Sequence, residues 1–142
     1  MKYFRQSHVI HHNEYHLVWI PRFRRKILVP GVREYLNTQI NEIGKWYPDV
    51  KIFERNIQPD HIHLLMLIPP KYSVSKIVNI LKSNTSKALR EHFKYLSNVY
   101  LDNDGIWSVG YFVSTVGINE KIIQRYIQLQ GKEDSGQAKL EW

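Results

Sequence analysis

The stretch from Val50 to Pro70 reads VKIFERNIQPDHIHLLMLIPP and contains the pattern of a β-hairpin. Residues 50–57 have an extended character, and the Gln-Pro-Asp of residues 58–60 supplies a turn. Residues 61–68 then form a strongly apolar run that is ended by two prolines. This order predicts two neighbouring antiparallel strands joined by a short turn.

The residues before this hairpin predict one strand and one helix. A β-prone segment places a strand near residues 14–20, ended by Pro21 and a basic cluster. Further along, Pro30 opens a helical pattern in which apolar residues recur at three- and four-residue spacing, and Pro48 stops it. We expect this helix to lay its apolar stripe on the sheet.

The residues after the hairpin predict two helices with a strand between them. Ser73 is expected to cap a long helix whose apolar positions recur on one side. A turn at residues 103–105 leads into a strand at residues 106–115, which are rich in aromatic and β-branched side chains. The final helix is expected at about residues 119–130, with Gly131 as the residue that ends it.

The predicted order of elements is strand, helix, strand, strand, helix, strand, helix. Hairpins that alternate with helices in this way are typical of the ferredoxin-like split βαβ plan. We therefore expect an α+β fold, with an antiparallel β-sheet covered by α-helices. A single domain should span residues 1–131 and include the last helix, and residues 132–142 should form a polar C-terminal tail.

The charge of the chain favours a polyanionic partner. Lys and Arg number 20 against 13 Asp and Glu among 142 residues, which gives a net charge of +7 and a pI near 9.6. Basic proteins bind nucleic acid through phosphate contacts that release counterions, and exposed aromatic rings stack on the bases of single strands. Charge alone does not establish such binding, because many basic proteins bind nothing specific.

The composition also excludes several classes of protein. The chain contains no cysteine, so a disulfide framework and a thiolate zinc site are both excluded, and any metal must bind nitrogen or oxygen ligands. No apolar run approaches the ~18 residues that span a bilayer, and the N-terminus lacks a signal-peptide pattern. We expect a cytoplasmic protein without a membrane partner.

Two histidines at the start of the second hairpin strand are the sharpest local signal for chemistry. Side chains alternate across a strand, so His61 and His63 should share one face with Cα atoms roughly 6.7 Å apart, twice the strand rise. Both rings could then reach one metal ion. Two polar residues at a strand edge would give the same pattern, since three-residue motifs also recur by accident.

A second candidate set lies in the last helix. Tyr126 and Gln130 are four residues apart, so the phenol and the carboxamide should lie on the same helical face. A tyrosine can serve as a nucleophile once a metal polarises the electrophile. Ordinary packing is the alternative, because Tyr126 also belongs to the apolar stripe of the helix.

Four segments of the chain together carry a family resemblance. They are residues 15–19 (YHLVW) with the basic residues that follow, 58–65 (QPDHIHLL), 107–112 (WSVGYF) and 126–130 (YIQLQ). In this order, over nearly the whole chain, they resemble the single-tyrosine HUH transposases of the insertion-sequence 200/605 group. The P-D-H-I-H-L-L string is specific for the group in that context, and these positions show no departure from the family pattern.

The resemblance implies an HUH endonuclease fold and a metal-dependent transposase that cuts and rejoins single-stranded DNA at the hairpin ends of an insertion sequence. It implies that His61 and His63 bind the metal, that Gln130 supplies the third protein ligand, and that Tyr126 is the nucleophile. The expected ion is magnesium, with manganese as the alternative. The resemblance also implies an intertwined homodimer, in which the tyrosine helix of one subunit completes the site on the partner's sheet.

Several basic residues are candidates for contacts with DNA phosphates. They are Arg22, Arg24, Arg25 and Lys26 after the first strand, and Lys82, Lys87 and Arg90 in the long helix. A solvated loop and a solvated helix face are the alternative interpretation. His16 could face the same site as the histidine pair or help to hold DNA, although a surface or packed histidine fits the sequence as well.

Two other functions are compatible with the sequence. The first is a ferredoxin-like nucleic-acid-binding module without cleavage activity, which would bind DNA in a salt-dependent way and form no covalent adduct. The second is a related repeat-associated HUH nickase, which a survey of preferred DNA substrates would reveal.

Overall fold

The computed structural model describes residues 3–6, 9–11, 13–100 and 105–136, and its centre is a four-stranded antiparallel sheet. The described strands are β1 (Phe4–Gln6), β2 (Val9–His11), β3 (Glu14–Trp19), β4 (Lys51–Gln58), β5 (His61–Leu67) and β6 (Phe112–Ser114). The central sheet has the order β4-β5-β3-β6, while β1 and β2 pair with each other as a separate ribbon. This order, with helices between the strands, confirms the predicted ferredoxin-like α+β fold.

The described residues form five α-helices, and two of them begin with the signals expected from the sequence. The helices are α1 (Pro30–Ile40), α2 (Ile43–Trp46), α3 (Val74–His92), α4 (Tyr95–Val99) and α5 (Glu120–Asp134). Pro30 stands in the first turn of α1, where its missing N–H costs no hydrogen bond. Ser73 caps α3 by accepting a hydrogen bond from the Lys76 amide at 3.1 Å. Asn119 caps α5 in the same way, accepting from the Ile122 amide at 2.9 Å.

The main core lies between one face of the sheet and the helices α1 and α3. In the register of β3 with β5, Leu17 lies opposite Leu64, and Trp19 lies opposite Ile62. These four side chains point to the same face and are fully buried. They pack with buried residues of the two helices, among them Val32, Leu36, Ile77 and Leu81. Each such side chain stabilises the fold by roughly 1.5–3 kcal/mol when buried.

A second, smaller cluster lies on the opposite face of the sheet. It joins Val18 and Ile20 from the end of β3 to residues on one side of α5, namely Ile123, Tyr126 and Ile127. Because side chains alternate along a strand, the two faces of β3 carry separate clusters. The last helix therefore covers the face of the sheet that α1 and α3 leave free.

Several boundaries differ from the sequence-based expectation. The helix predicted between Pro30 and Pro48 is broken between α1 and α2, and the long helix that begins after Ser73 ends at His92 and is followed by the short α4. The strand predicted at residues 106–115 is wrong in length, because only β6 is a strand and Trp107 makes an isolated bridge to Pro21. The turn predicted at residues 103–105 falls mostly outside the described residues.

The prediction that Gly131 ends the last helix is also wrong. The helix continues to Asp134, so Gly131 lies in its interior. A Cβ on Gly131 would lie 3.1 Å from the Cβ of Arg24. Another chain segment therefore packs closely against the helix at Gly131, and the helix does not stop there.

None of the helices in the described part of the chain combines the length and the apolar character that crossing a membrane requires.

Candidate active site

The alternation of side chains along β3 and β5 brings the histidine pair to the face that α5 covers. Ile62 points into the main core, so His61 and His63 on either side of it point to the opposite face. His63 lies directly across from Val18, which packs with Tyr126 in the second cluster. The fold therefore places the two histidines and the tyrosine helix on one face of the same sheet.

Asp60 fixes the orientation of the His61 ring. Its Oδ1 lies 2.9 Å from Nδ1 of His61, and its Oδ2 accepts a hydrogen bond of 3.0 Å from Nε of Arg24. Burial alone would raise the pKa of Asp60, but the hydrogen bonds from His61 and Arg24 lower it below its ordinary value. An ionised carboxylate at this position selects the His61 tautomer that carries its proton on Nδ1.

The other ring nitrogen of His61 is the atom that this arrangement leaves for a ligand. His61 is only 3% exposed, and its Nε2 has no hydrogen-bond partner among the described residues. Buried polar atoms are normally paired, and a histidine that binds a metal commonly gives its second N–H to a carboxylate. The Asp60–His61 pair therefore has the chemistry of a metal ligand and its supporting acid.

His63 is held differently from His61. Its Nε2 lies 3.1 Å from Nδ1 of His16, a contact between β5 and β3. Burial, followed by the nearby His16 and His61 rings, lowers the pKa of His63, so its neutral form, the one that binds metals, is favoured near neutral pH. Metal binding through Nε2 of His63 requires the contact with His16 to open.

Tyr126 is part of the second cluster. It is 1% exposed, and its ring centroid lies 5.8 Å from that of Phe112. Its hydroxyl group is buried and has no hydrogen-bond partner among the described residues. Burial, with smaller contributions from Asp134 and Glu133, raises the pKa of Tyr126 well above its ordinary value. In this conformation the phenol is neutral and shielded from solvent.

Gln130 lies one turn after Tyr126 and is also buried. Its Nε2 donates a hydrogen bond of 3.2 Å to Oδ1 of Asp134. The same carboxylate accepts hydrogen bonds from the Ser108 hydroxyl at 2.6 Å and the Phe23 amide at 3.0 Å. Because the amide group of Gln130 donates to Asp134, its carbonyl oxygen stays available for another ligand.

A cavity of about 300 Å³ lies beside His61, between the β4–β5 hairpin and the first turns of α5. The side chains around it are polar or charged and offer both donors and acceptors. They are Lys26, Asn56, Gln58, Asp60, His61, Glu120 and Gln124, together with Pro59. Within the described residues, no three His, Asp, Glu or Cys side chains gather closely enough to hold a metal.

The basic residues predicted to contact DNA occupy different environments. Arg24 pairs with Asp60, whereas Arg25 is exposed and donates to the carbonyl of Val99. Lys82 is half-buried and donates to the carbonyls of Ser108 and Gly110, each at 2.7 Å. The remaining four lie at the surface or in partly open positions, namely Arg22, Lys26, Lys87 and Arg90.

Two carboxylates near the predicted site were not assigned roles from the sequence. Asp60 stands next to His61 in the quoted motif, so its position directly before a candidate ligand was an available signal. Asp134 lies four residues after Gln130, which places both on one helical face, but only if the helix continues past Gly131. Because the predicted helix ended at Gly131, the sequence pattern did not place Asp134 beside Gln130.

The fold and the site define an α+β domain in which a strand with two paired histidines faces a helix with a buried tyrosine. Residues 9–130 match the family model of IS200-like transposases, and the chain belongs to this family. The transposase of insertion sequence element IS200 from Salmonella typhimurium is 38% identical over 121 residues, which cover 85% of this chain and 78% of that protein. The ISDra2 transposase TnpA of Deinococcus radiodurans is 28% identical over 118 residues, 82% of this chain and 83% of that one.

Two solved structures have the same fold. A protein described as a transposase from Deinococcus radiodurans R1 superposes with a TM-score of 0.79 and 26% identity, covering 92% of this chain and 98% of its own. A REP-associated tyrosine transposase bound to a REP hairpin superposes with a TM-score of 0.56 and 16% identity, covering 97% of this chain and 76% of its own. At that identity the second likeness shows the shared fold alone.

Proposed function

We propose that this transposase cleaves and rejoins single-stranded DNA at insertion-sequence ends through a covalent 5′-phosphotyrosine on Tyr126. The observation that carries the proposal is the state of His61, whose Nδ1 is held by Asp60 while its buried Nε2 has no partner. This is the state expected of a metal ligand, and it lies on the sheet face that the Tyr126 helix covers.

His61, His63 and Gln130 would hold the ion, and magnesium is the ion we propose, with manganese as the alternative. Neutral imidazoles and an amide oxygen would not cancel the positive charge of the ion, so this charge would stay available to attract an incoming phosphate. A bound divalent cation supplies a Lewis acid that draws charge from the oxygens of the scissile phosphate. Asp60 holds the His61 ring, and Asp134 holds the amide group of Gln130.

Tyr126 would form the new bond. Its hydroxyl oxygen attacks phosphorus and the bond from phosphorus to the 3′ oxygen breaks, so the DNA is left as a 5′-phosphotyrosine and a free 3′-hydroxyl. The proton lost by the phenol is balanced by the proton gained at the 3′ oxygen. Attack by the 3′-hydroxyl of another strand end reverses the step and joins the strands, so no external energy source is needed.

The burial of Tyr126 implies a movement before cleavage. A side chain that is 1% exposed and packs on Val18, Ile20 and Phe112 cannot meet a DNA phosphate in this conformation. We infer that α5 shifts relative to the sheet when DNA binds. The second cluster contains far fewer buried side chains than the main core, so opening it exposes less apolar surface than opening the main core would.

A denaturing gel tests the chemistry. The protein is incubated with a labelled hairpin-bearing single strand, with Mg²⁺ or with EDTA. We expect a slow-moving covalent band with Mg²⁺, which disappears with EDTA, with Tyr126→Phe and with His61→Ala. The exposed Tyr95 provides a matched control, so Tyr95→Phe should keep the band. A normal covalent band from Tyr126→Phe would refute the proposal, and salt-dependent binding without any band would instead indicate a binding module.

The same assay addresses the assembly, for which we propose a homodimer acting on hairpin ends. If two chains share each site, a mixture of His61→Ala and Tyr126→Phe chains should recover cleavage that neither variant has alone. Recovery is not expected if Tyr126 acts only on the histidines of its own chain. Competition by a strand of the same composition without a hairpin measures the preference for hairpin ends.

A further inference from the structure

The loop between β3 and α1 presents an aromatic ring on an unusual backbone. Phe23 has φ 63° and ψ 18°, and Arg24 follows with φ 55°. Two successive residues with side chains thus adopt the left-handed conformation, which is rare outside glycine, asparagine and aspartate. Such strain persists only where the surrounding structure imposes it, and it is concentrated at functional sites.

Contacts from three other parts of the fold impose this conformation. The Phe23 amide donates to Oδ2 of Asp134 at 3.0 Å, near the end of α5. The Tyr100 hydroxyl donates to the carbonyl of Arg22 at 3.0 Å, and the Arg22 amide donates to the carbonyl of Ile106 at 2.8 Å. These bonds fix the loop backbone, yet none of them buries the Phe23 ring, which is 38% exposed.

The surroundings of the exposed ring are cationic and polar. The guanidinium carbons of Arg22 and Arg25 lie 5.4 Å and 5.0 Å from its centroid, within the range of cation–π contacts. The ring also borders a cavity of about 180 Å³. The other residues around this cavity are Arg24, Gln128, Gly131 and Lys132.

We propose that Phe23 is a stacking platform for one base of a single-stranded DNA substrate, and that this cavity receives the nucleotide. A stacked base would replace the guanidinium groups of Arg22 and Arg25 over the Phe23 ring, and these groups would then supply positive charge for the phosphates of the strand. Gln128 and Lys132 stand one turn apart on α5 and add a hydrogen-bonding group and a charge on the far side.

The position of the platform connects it to the candidate active site. Arg24, the residue after Phe23, passes over Gly131 of α5 and pairs with Asp60, which holds His61. A nucleotide stacked on Phe23 would therefore contact the helix that carries Tyr126, and it would lie beside Arg24, which is linked to His61 through Asp60. The inference rests on the proposed function only in taking single-stranded DNA as the substrate.

Substitution by asparagine removes the ring without straining the loop. Asparagine tolerates the left-handed conformation better than phenylalanine, so Phe23→Asn should unfold at the same temperature as the wild type or higher. Binding is measured by fluorescence anisotropy in EDTA, which separates it from cleavage. The probes are a labelled DNA single strand of about twelve nucleotides, within the usual range of site sizes, and the same strand with abasic residues throughout.

We expect Phe23→Asn to weaken binding of the base-bearing strand by roughly five- to hundred-fold, the range for loss of one stacked base. Binding of the abasic strand should not change, and Phe23→Trp should keep the affinity for both strands. Trp46 offers the matched control, since it is an aromatic residue 73% exposed on α2, and Trp46→Asn should bind both strands as the wild type does.

Two results would overturn the platform. One is an unchanged affinity of Phe23→Asn for the base-bearing strand, and the other is an equal loss for both strands, which would indicate a phosphate contact instead. Failure of the proposed cleavage can be distinguished from failure of the stacking proposal. In that case no covalent band forms on Tyr126, but the effect of Phe23→Asn on binding of the base-bearing strand remains. Conversely, a covalent band together with either overturning result would reject the stacking role of Phe23 and leave the proposed cleavage function standing.

Discussion

At the scale of single residues, two buried tyrosines of this chain differ in what their hydroxyl groups contact. The Tyr100 hydroxyl donates to the Arg22 carbonyl at 3.0 Å, whereas the Tyr126 hydroxyl has no partner in the described part of the chain. A buried polar group without a hydrogen bond loses the free energy of its hydration and gains nothing in return. Tyr126 is therefore a residue whose hydroxyl lowers the stability of the fold, as is common where a side chain is retained for chemistry.

Removal of the two hydroxyl groups should thus have opposite effects on stability. We expect Tyr126→Phe to raise the free energy of unfolding by about 1 kcal/mol, because the unpaired hydroxyl no longer has to be buried. Tyr100→Phe should lower it by about 1 kcal/mol, because the Arg22 carbonyl loses its donor. Urea denaturation of the three proteins measures both changes. A loss of stability in Tyr126→Phe would mean that its hydroxyl has a partner in solution.

The histidine pair shows what the sequence can predict at this scale and what it cannot. The alternation of side chains along a strand was enough to place His61 and His63 on one face, and the structure has them there. Which nitrogen of His61 is free depends on Asp60 and, through it, on Arg24 from a loop 36 residues away in the chain. Such long-range contacts leave no periodic signal in a single sequence.

At the scale of secondary-structure elements, the predicted helix end at Gly131 shows how a local rule can fail. Glycine commonly ends helices because it adopts the left-handed conformation, and the sequence offers no other reason for a glycine here. The structure supplies one, since the Arg24 side chain passes within 3.1 Å of the place where a Cβ would stand. Tertiary packing, which the sequence does not show, therefore gives a reason for this glycine that is unrelated to the end of α5.

The segment between α4 and β6 was mispredicted for a related reason. Its aromatic and β-branched composition favours a strand, but Gly110 has φ 95°, and the carbonyls of Ser108 and Gly110 accept hydrogen bonds from a side chain of α3. The side chain on α3 is that of Lys82, which donates hydrogen bonds of 2.7 Å to both carbonyls. A lysine that serves as a partner for backbone groups cannot be told from a surface lysine by its position in the helical pattern.

The burial of Lys82 in its contact with the Ser108 and Gly110 carbonyls should make the free energy of unfolding depend on pH. Burial lowers the pKa of Lys82 from 10.5 to about 8, partly offset by Asp134. The unfolded chain then binds a proton more tightly than the folded chain, so stability rises with pH between about 8 and 10.5. Between pH 7.5 and 9.5 the gain should be about 1–2 kcal/mol.

Comparison with Lys82→Met isolates this effect, because the other titrating groups contribute equally to both proteins. The free energy of unfolding of the wild type, minus that of Lys82→Met, should grow by this amount as the pH rises from ~7.5 to ~9.5. Urea denaturation at the two pH values gives the difference. A difference that stays constant would show that the Lys82 ammonium is hydrated in solution and keeps its ordinary pKa.

At the scale of the whole molecule, the sheet has two faces with different tasks. One face carries the main core with α1 and α3, which supplies most of the apolar burial. The other carries the histidine pair under α5, where a small cluster leaves polar cavities around His61 and Phe23. In the proposed function the face with the main core supports a face that opens, and the net charge of +7 favours the approach of nucleic acid.

The salt dependence of DNA binding can show which basic residues contact phosphates. Lys26 is exposed and borders the cavity beside His61, so its ammonium is placed to contact a phosphate at the site. Each phosphate contact on a single strand adds about 0.7 to the slope of log K against log salt concentration. We expect Lys26→Gln to reduce the magnitude of this slope by about 0.7, because one fewer counterion is released.

Lys45 provides the comparison that separates local contact from net charge. It is exposed on α2, where it pairs with Glu42, and Lys45→Gln removes the same unit of charge. Anisotropy titrations of a single-stranded DNA in EDTA, over a range of salt concentrations, give the slope for each protein. If both variants reduce the slope equally, the charge acts through the net charge of the protein. If only Lys26→Gln reduces the slope, the strand passes through the cavity beside His61. We expect the second result, because condensed counterions are released only where a cation touches the backbone.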